Sequence, residues 1–188
     1  MEYSNIYEKI KLLTGSGMWH TREAEGLPSV HLSDGPHGLR KQEEKERQNN
    51  VSLVSTCYPT ASALACSWDV TAAERLGRAV AKEAWNADVA VLLGPGINMK
   101  RSPLCGRNFE YFSEDPFLAG RLGAAYVSAA QGENVAVSLK HFAANNQETN
   151  RQTSNSQIDE RALREIYLSA FEYVVKTARP ATGMASYN

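Results

Sequence analysis

Short apolar runs bounded by turn residues alternate along the chain with stretches whose apolar positions recur every three or four residues. The first periodic stretch, Ile6, Ile10 and Leu13, has Ser4 available as a cap and Gly15 at the stop, and predicts a short helix over about residues 5–14. Leu27 to Leu32 reads as a first strand running into Ser33-Asp34-Gly35-Pro36-His37-Gly38, where glycines and a proline around one Asp specify a tight turn. Thr60 to Cys66, small and apolar, reads as a second buried strand. Thr71-Ala72-Ala73-Glu74 has the form of a capping box and predicts a helix reaching about Asn86, with Leu76, Val80 and Ala84 buried. Val89 to Leu93 is too short for a helix and stops at Gly94-Pro95-Gly96, which makes it a third strand. Asp115-Pro116 starts the next helix, with Leu118, Leu122, Ala125, Tyr126 and Ala129 on its buried side and Gly132 at its end. Val135 to Leu139 is a fourth strand. Asp159 then caps a helix whose apolar positions, Leu163, Ile166, Tyr167, Ala170, Phe171, Val174 and Val175, step by three and four without a miss. Thr182 to Tyr187 is the fifth strand.

Strands apolar on both faces, alternating with helices, call for a parallel sheet covered by helices, the α/β class. An open nucleotide-binding sheet should carry a glycine-rich phosphate turn straight after an early strand. The nearest stretch, Gly94-Pro95-Gly96-Ile97-Asn98-Met99, lacks the third glycine and opens a long loop instead of a helix. In a TIM-type (β/α)8 barrel, successive strand ends all carry polar groups because the site is built from the βα loops. Here Asp34, Gly94 with the Arg107 loop, Lys140-His141 and Tyr187 follow the first, third, fourth and fifth strands, so the barrel is the better reading. About five strands make an incomplete, open-edged barrel. The expectation is that residues 1–188 are one truncated N-terminal barrel domain of something longer.

Composition changes this picture little. An apolar fraction of 43% is that of a globular domain, and 20 basic against 21 acidic residues gives a net charge of −1, which favours neither nucleic acid nor an anionic membrane as partner. No segment approaches a membrane span, and the N-terminus lacks the form of a signal peptide, so a cytoplasmic location is expected. Three cysteines, Cys57, Cys66 and Cys105, without CxxC spacing fit thiols in a reducing compartment. The mixed-charge stretch Lys41 to Asn50 reads as a solvated loop.

The chemistry concentrates in Val135 to Arg151, where a β-branched apolar run delivers Lys140 and His141 at its end and continues through Asn145, Asn146 and Gln147. Lys140 could form a Schiff base if desolvated, bind substrate as a cation, or pair with an acid such as Glu110. His141 is either structural or a binding group, since no HxH or HExxH spacing supports metal. Asp34 is either an Asx-turn residue or a ligand-binding carboxylate, Arg107 either a partner of Glu110 or Glu114 or a binding group, and Tyr187 either strand core or a site residue. Around one rim, a carboxylate, a lysine, a histidine, arginines and amides are suited to gripping a polyhydroxylated ring, where each hydroxyl needs an acceptor and a donor.

Five stretches, Ser33 to Arg40 (SDGPHGLR), Gly106 to Gly120 (GRNFEYFSEDPFLAG), Lys140 to Arg151 (KHFAANNQETNR), Asp159 to Phe171 (DERALREIYLSAF) and Met184 to Asn188 (MASYN), resemble in order the N-terminal barrel domain of glycoside hydrolase family 3, the β-glucosidase family. The resemblance implies retaining hydrolysis of β-linked glucosides or xylosides, without metal or organic cofactor. Carried over residue by residue, it implies that Asp34, Arg107, Lys140, His141 and Arg151 hold hydroxyls of the sugar, that Tyr187 lines the same subsite, and that Glu110 stands behind them. Ala143-Ala144-Asn145-Asn146 departs from the glycine- and histidine-rich loop of the hexosaminidase-like branch, and so looks like the β-glucosidase branch, whose acid/base comes from a following α/β domain. The family's nucleophilic aspartate, in a Ser-Asp-Trp context, would fall beyond Asn188. The expectation is therefore a fragment that binds a β-linked glucoside or oligosaccharide, inactive alone and partnered by the missing part of the same enzyme. A non-catalytic sugar-binding or interaction module and a Schiff-base lyase using Lys140 are the alternatives.

Overall fold

The computed structural model describes residues 6–42 and 51–188. Four parallel strands form one sheet in sequential order: β1 (Leu32–Asp34), β2 (Val91–Leu93), β3 (Ala136–Phe142) and β4 (Thr182–Ala185). Parallel neighbours need long crossovers. Helices supply them: α2 (Ala61–Ala65) and α3 (Val70–Asn86) lie between β1 and β2, α4 (Pro116–Gln131) between β2 and β3. The last crossover is one nearly continuous helical stretch, α5 (Glu160–Ala162), a π turn (Leu163–Tyr167) and α6 (Ser169–Ala178), with the Leu168 amide donating to the Leu163 carbonyl at 2.8 Å. This is the α/β alternation expected, with four strands in place of five.

Helix starts are fixed by short acceptors. Asp115 accepts from the amides of Phe117 (3.0 Å) and Leu118 (3.4 Å) with Pro116 in the first turn, and Asp159 accepts from Ala162 (2.9 Å), both as the sequence predicts. The start of α3 is corrected. Asp69, not Thr71, is its cap, accepting from the Thr71 amide at 2.8 Å, so the Thr71-to-Glu74 pattern lies inside the helix.

Thr60 to Cys66 is also corrected, from strand to helix. The Thr60 hydroxyl accepts from the Ala63 amide at 3.2 Å, and the alanines behind it carry the highest helix propensity of any residue. A short apolar run has no period to tell the two states apart, and the cap decides it. The first strand begins at Leu32, where Leu27 to Leu32 was expected; Leu27 instead closes a tight turn with Ala24, and His31 bridges His20. β4 ends at Ala185, so Tyr187 lies past it. α1 (Ile6–Lys11) forms within the predicted span, but its apolar face is exposed, Leu13 included; Ser4 and residues 43–50 lie outside the described residues.

The core lies between the sheet and α3, α4 and α6. Ala73, Leu76, Val80 and Ala84 of α3 join Leu122, Tyr126 and Val127 of α4, Ala170, Phe171 and Val174 of α6, and Leu92, Val137 and Leu139 of the strands. Val175, expected in this set, is exposed. At Gly77 α3 touches the backbone of α4: a Cβ there would stand 2.5 Å from the Tyr126 carbonyl oxygen and 3.1 Å from its carbon. That approach seats Tyr126, fully buried, whose hydroxyl donates to the Pro36 carbonyl at 3.1 Å and so ties α4 to the loop after β1.

Gly77→Ala sets two effects against each other. Alanine gains about 1 kcal/mol of helix propensity, while overpacking against backbone that no rotamer can relieve costs about 1–3 kcal/mol. Net destabilisation is expected, read as a lower urea midpoint, with Gly106→Ala, whose Cβ would meet nothing within 4 Å, as the near-neutral control. A midpoint at or above that of the parent would refute the close helix contact.

Candidate functional site

Each strand delivers its last residues to the same end of the sheet, and the loops hold them there. Asp34 closes β1, and its carbonyl accepts from the Arg40 amide at 2.9 Å; between them Gly35 has φ +115°, a conformation side-chain-bearing residues rarely adopt. Beyond β2, residues 94–97 run alongside β3: the Lys140 amide donates to the Pro95 carbonyl (3.1 Å) and the Ile97 amide to the Lys140 carbonyl (2.9 Å). The pairing of β3 with β4 shifts register between Lys140 and Phe142, which breaks the alternation of the pleat. Lys140 and its neighbour His141 consequently both line one cavity, instead of facing opposite sides of the sheet.

That cavity measures about 710 Å³, and all six predicted binding residues, Asp34, Arg107, Lys140, His141, Arg151 and Tyr187, line it. Lys140, with its side chain only 3% exposed, stands between two carboxylates, Glu110 Oε2 at 3.1 Å and Asp34 Oδ1 at 3.4 Å. Glu110, 5% exposed, pairs through its other oxygen with Arg107 Nε. Glu148 continues the series, 4.0 Å from Arg107 Nε and 3.1 Å from Arg151 Nε. The Arg151 guanidinium lies over the Tyr187 ring, 4.8 Å from its centroid. Tyr187 is 64% exposed, at the rim and not in the core.

His141 is held on its inner side. Its amide donates to Asn98 Oδ1 and its carbonyl accepts from Asn98 Nδ2, both at 2.8 Å, while Nδ1 lies 3.0 Å from the Tyr111 hydroxyl. Burial, reinforced by the charges of Arg107 and Lys140 against the opposing pull of Glu110, lowers its pKa to about 3. His37, in the same wall, is lowered to about 4, mainly by burial, and among the described residues neither of its ring nitrogens has a hydrogen-bond partner. For Glu110 burial pushes upward, but Lys140 and Arg107 outweigh it and hold the carboxyl below its ordinary range.

The alternatives for single residues are now decided in part. Arg107 pairs with Glu110 as its plainer reading had it, and Lys140 pairs with Glu110 and Asp34; both also line the cavity. An amine engaged by two carboxylates stands in neither the hydrophobic pocket nor the cation-flanked setting that activates a lysine for Schiff-base chemistry. Glu110, placed behind the rim by the sequence reading, reaches the cavity itself. Sequence reasoning missed Asn98, Tyr111, Asn145 as an orienting group, and Glu148; the last three fall inside motifs that carry the resemblance, but nothing local marks what they touch. His37 and Arg40 lay inside a quoted motif and were not singled out, yet both line the cavity. Among the described residues, no group of three or more His, Cys, Asp or Glu is arranged to hold a metal ion.

Residues 36–188 match the glycosyl hydrolase family 3 N terminal domain. Among curated proteins the chain is 52% identical over 187 residues to the thermostable beta-glucosidase B of Acetivibrio thermocellus, covering 97% of this chain and 25% of that protein. It is 49% identical over 188 residues to an exo-alpha-(1->6)-L-arabinopyranosidase of Bifidobacterium longum, again covering 97% and 25%. Among solved structures, the beta-glucosidase of Kluyveromyces marxianus in complex with glucose superposes with a TM-score of 0.91 at 44% identity, covering 99% of this chain and 22% of that one. The chain thus spans about a quarter of the length of these relatives.

The titration directions give a prediction. His37 and His141 have folded pKa values of about 4 and 3, below the ordinary 6.5, so unfolding takes up protons and stability is lost as pH falls from about 6.5 toward 4. Glu110, also depressed, contributes stability above its ordinary pKa and loses it only at lower pH. Melting temperature is therefore expected to drop between pH 6.5 and 4, and His37→Gln, neutral throughout, to flatten that decline. An unchanged slope in the variant would remove His37 as a cause.

Proposed function

The chain belongs to glycosyl hydrolase family 3, and from that premise we propose that it supplies the sugar-gripping rim of a retaining β-glycosidase. The enzyme would release terminal non-reducing β-D-glucosyl, or β-xylosyl, residues. On this reading residues 1–188 form the first part of a (β/α)8 barrel within a longer protein. The observation that carries it is the convergence on one cavity of Asp34 as acceptor, Lys140, Arg107, Arg151 and His141 as donors, and the Tyr187 ring. A pyranose ring offers hydroxyls that both give and take hydrogen bonds, and an apolar face for an aromatic ring.

The division of labour follows from the carboxylates. Retaining hydrolysis needs two carboxyl groups about 5–5.5 Å apart on opposite sides of the scissile bond. Asp34 and Glu110 both turn to the same ammonium, Lys140, so neither stands across a bond from the other. The nucleophile and the acid/base are then contributed by the rest of the protein. The groups of this chain orient the ring and strengthen their hold as it flattens toward the oxocarbenium-like transition state. Beta-glucosidase and arabinopyranosidase are both names of relatives at about half identity, which supports leaving the choice of sugar to residues outside this rim. The engaged ammonium of Lys140 speaks against the Schiff-base lyase.

Asp34→Ala in the full-length protein tests the proposal, because Lys140 keeps Glu110 as partner and is not left as an unpaired buried charge. On an aryl β-glucoside, kcat/KM is expected to fall about 100-fold or more, about 2.7 kcal/mol of transition-state binding. A loss under about fivefold, less than 1 kcal/mol, would take Asp34 out of the subsite. Absence of phenol release by the unaltered full-length protein would favour a non-catalytic sugar-binding module.

A further inference from the structure

The polar groups behind His141 form a chain whose direction can be worked out donor by donor. It starts at Glu148, fixed by Arg151 at 3.1 Å, whose carboxylate oxygens only accept. Asn145 lies 2.8 Å from Glu148 Oε1 and must present its Nδ2 there; the second hydrogen of the same amide goes to the Tyr111 hydroxyl, also at 2.8 Å. The phenol oxygen therefore receives a hydrogen from Asn145. Among the described residues its own hydrogen has one acceptor within reach, Nδ1 of His141, at 3.0 Å. The competing acceptor for an Nδ1 proton, Asn98 Oδ1, is 3.4 Å away and already accepts from the His141 amide at 2.8 Å. A proton on Nδ1 would meet the phenol hydrogen head-on.

We infer that Tyr111 and Asn145 are positioning residues that set the tautomer of His141, making Nδ1 the acceptor, placing the single ring proton on Nε2, and so presenting the cavity with a fixed neutral donor. Tyr111 and Asn145 are both buried, which keeps water from scrambling the chain. Glu148, Asn145 and Tyr111 thereby act on a sugar hydroxyl through His141 without touching it. The inference rests on the reading of the cavity as a sugar site only for the identity of the group that Nε2 meets; the tautomer itself does not depend on it.

The test is a long-range proton–nitrogen correlation spectrum of the full-length protein labelled with nitrogen-15 at histidine. His141→Gln gives the assignment. His141 is expected to show a protonated, pyrrole-type Nε2 and a bare, pyridine-type Nδ1, unchanged between pH 8 and 5. The unaltered chain decides the tautomer without any variant: a protonated Nδ1 overturns the inference. Tyr111→Phe keeps the ring and removes the hydroxyl, and is expected to shift His141 toward the Nδ1-protonated form and weaken glucose binding about three- to tenfold, the scale of one lost hydrogen bond. A variant that leaves both tautomer and affinity unchanged denies Tyr111 its positioning role. If the unaltered chain shows the expected tautomer but glucose at millimolar concentration shifts none of the His141 signals, the inference stands and the sugar-site reading falls.

Discussion

The site depends on one arrangement, an ammonium buried between two carboxylates. Lys140 is nearly inaccessible, and Glu110 beside it equally so, in a part of the protein where an unpaired charge would be costly. From that pair the charges extend outward in alternation, Glu110 to Arg107, Arg107 to Glu148, Glu148 to Arg151, and Lys140 to Asp34 at the open side. Three cations face three carboxylates, and exposure grows along the series toward the cavity mouth. Buried ion pairs seldom stabilise a fold more than apolar replacements would. What they provide here is orientation: each side chain is pinned by its neighbour before any ligand arrives, so little ordering is left to be done on binding.

The fold supports this at the backbone level. The parallel sheet brings the carboxyl ends of β1 to β4 to one side, and the irregular segment after β2 locks onto β3 on both sides of Lys140. Tyr126 reaches from the centre of α4 to Pro36, so the loop carrying Asp34 and His37 is tied to the best-packed helix pair. The register shift in β3 then does what a regular strand cannot, setting neighbouring Lys140 and His141 on the same cavity.

How much of this could be read from the sequence follows from the range of the interactions. Asp115-Pro116 and Asp159 were legible because a cap and its target amides lie within three residues, and α4 and α6 because their apolar period is sustained. Thr60 to Cys66 was misread because so short an apolar run has no period, and Asp69 was overlooked in favour of a capping-box pattern two residues later. Strand ends marked the rim, and all six residues predicted for it share the cavity. The supporting groups were invisible for the converse reason. Tyr111 and His141 stand 30 positions apart, Asn98 and His141 43 apart, and nothing in the sequence around Tyr111 or Asn98 tells that they converge.

Two kinds of polar group therefore meet at this cavity, and they discriminate differently. The ion-paired lysine and arginines are donors in several directions at once, strong but tolerant of where an oxygen sits. His141, held by Asn98 along its backbone and by Tyr111 at its ring, has one hydrogen to give in one direction. A hydroxyl that is displaced or inverted at that point would leave the hydrogen unpaired, and such unpaired groups are what separate one substrate from its analogue by large factors. On the function proposed above, the charged rim would hold a polyhydroxylated ring at all, and the neutral histidine would hold it in one orientation.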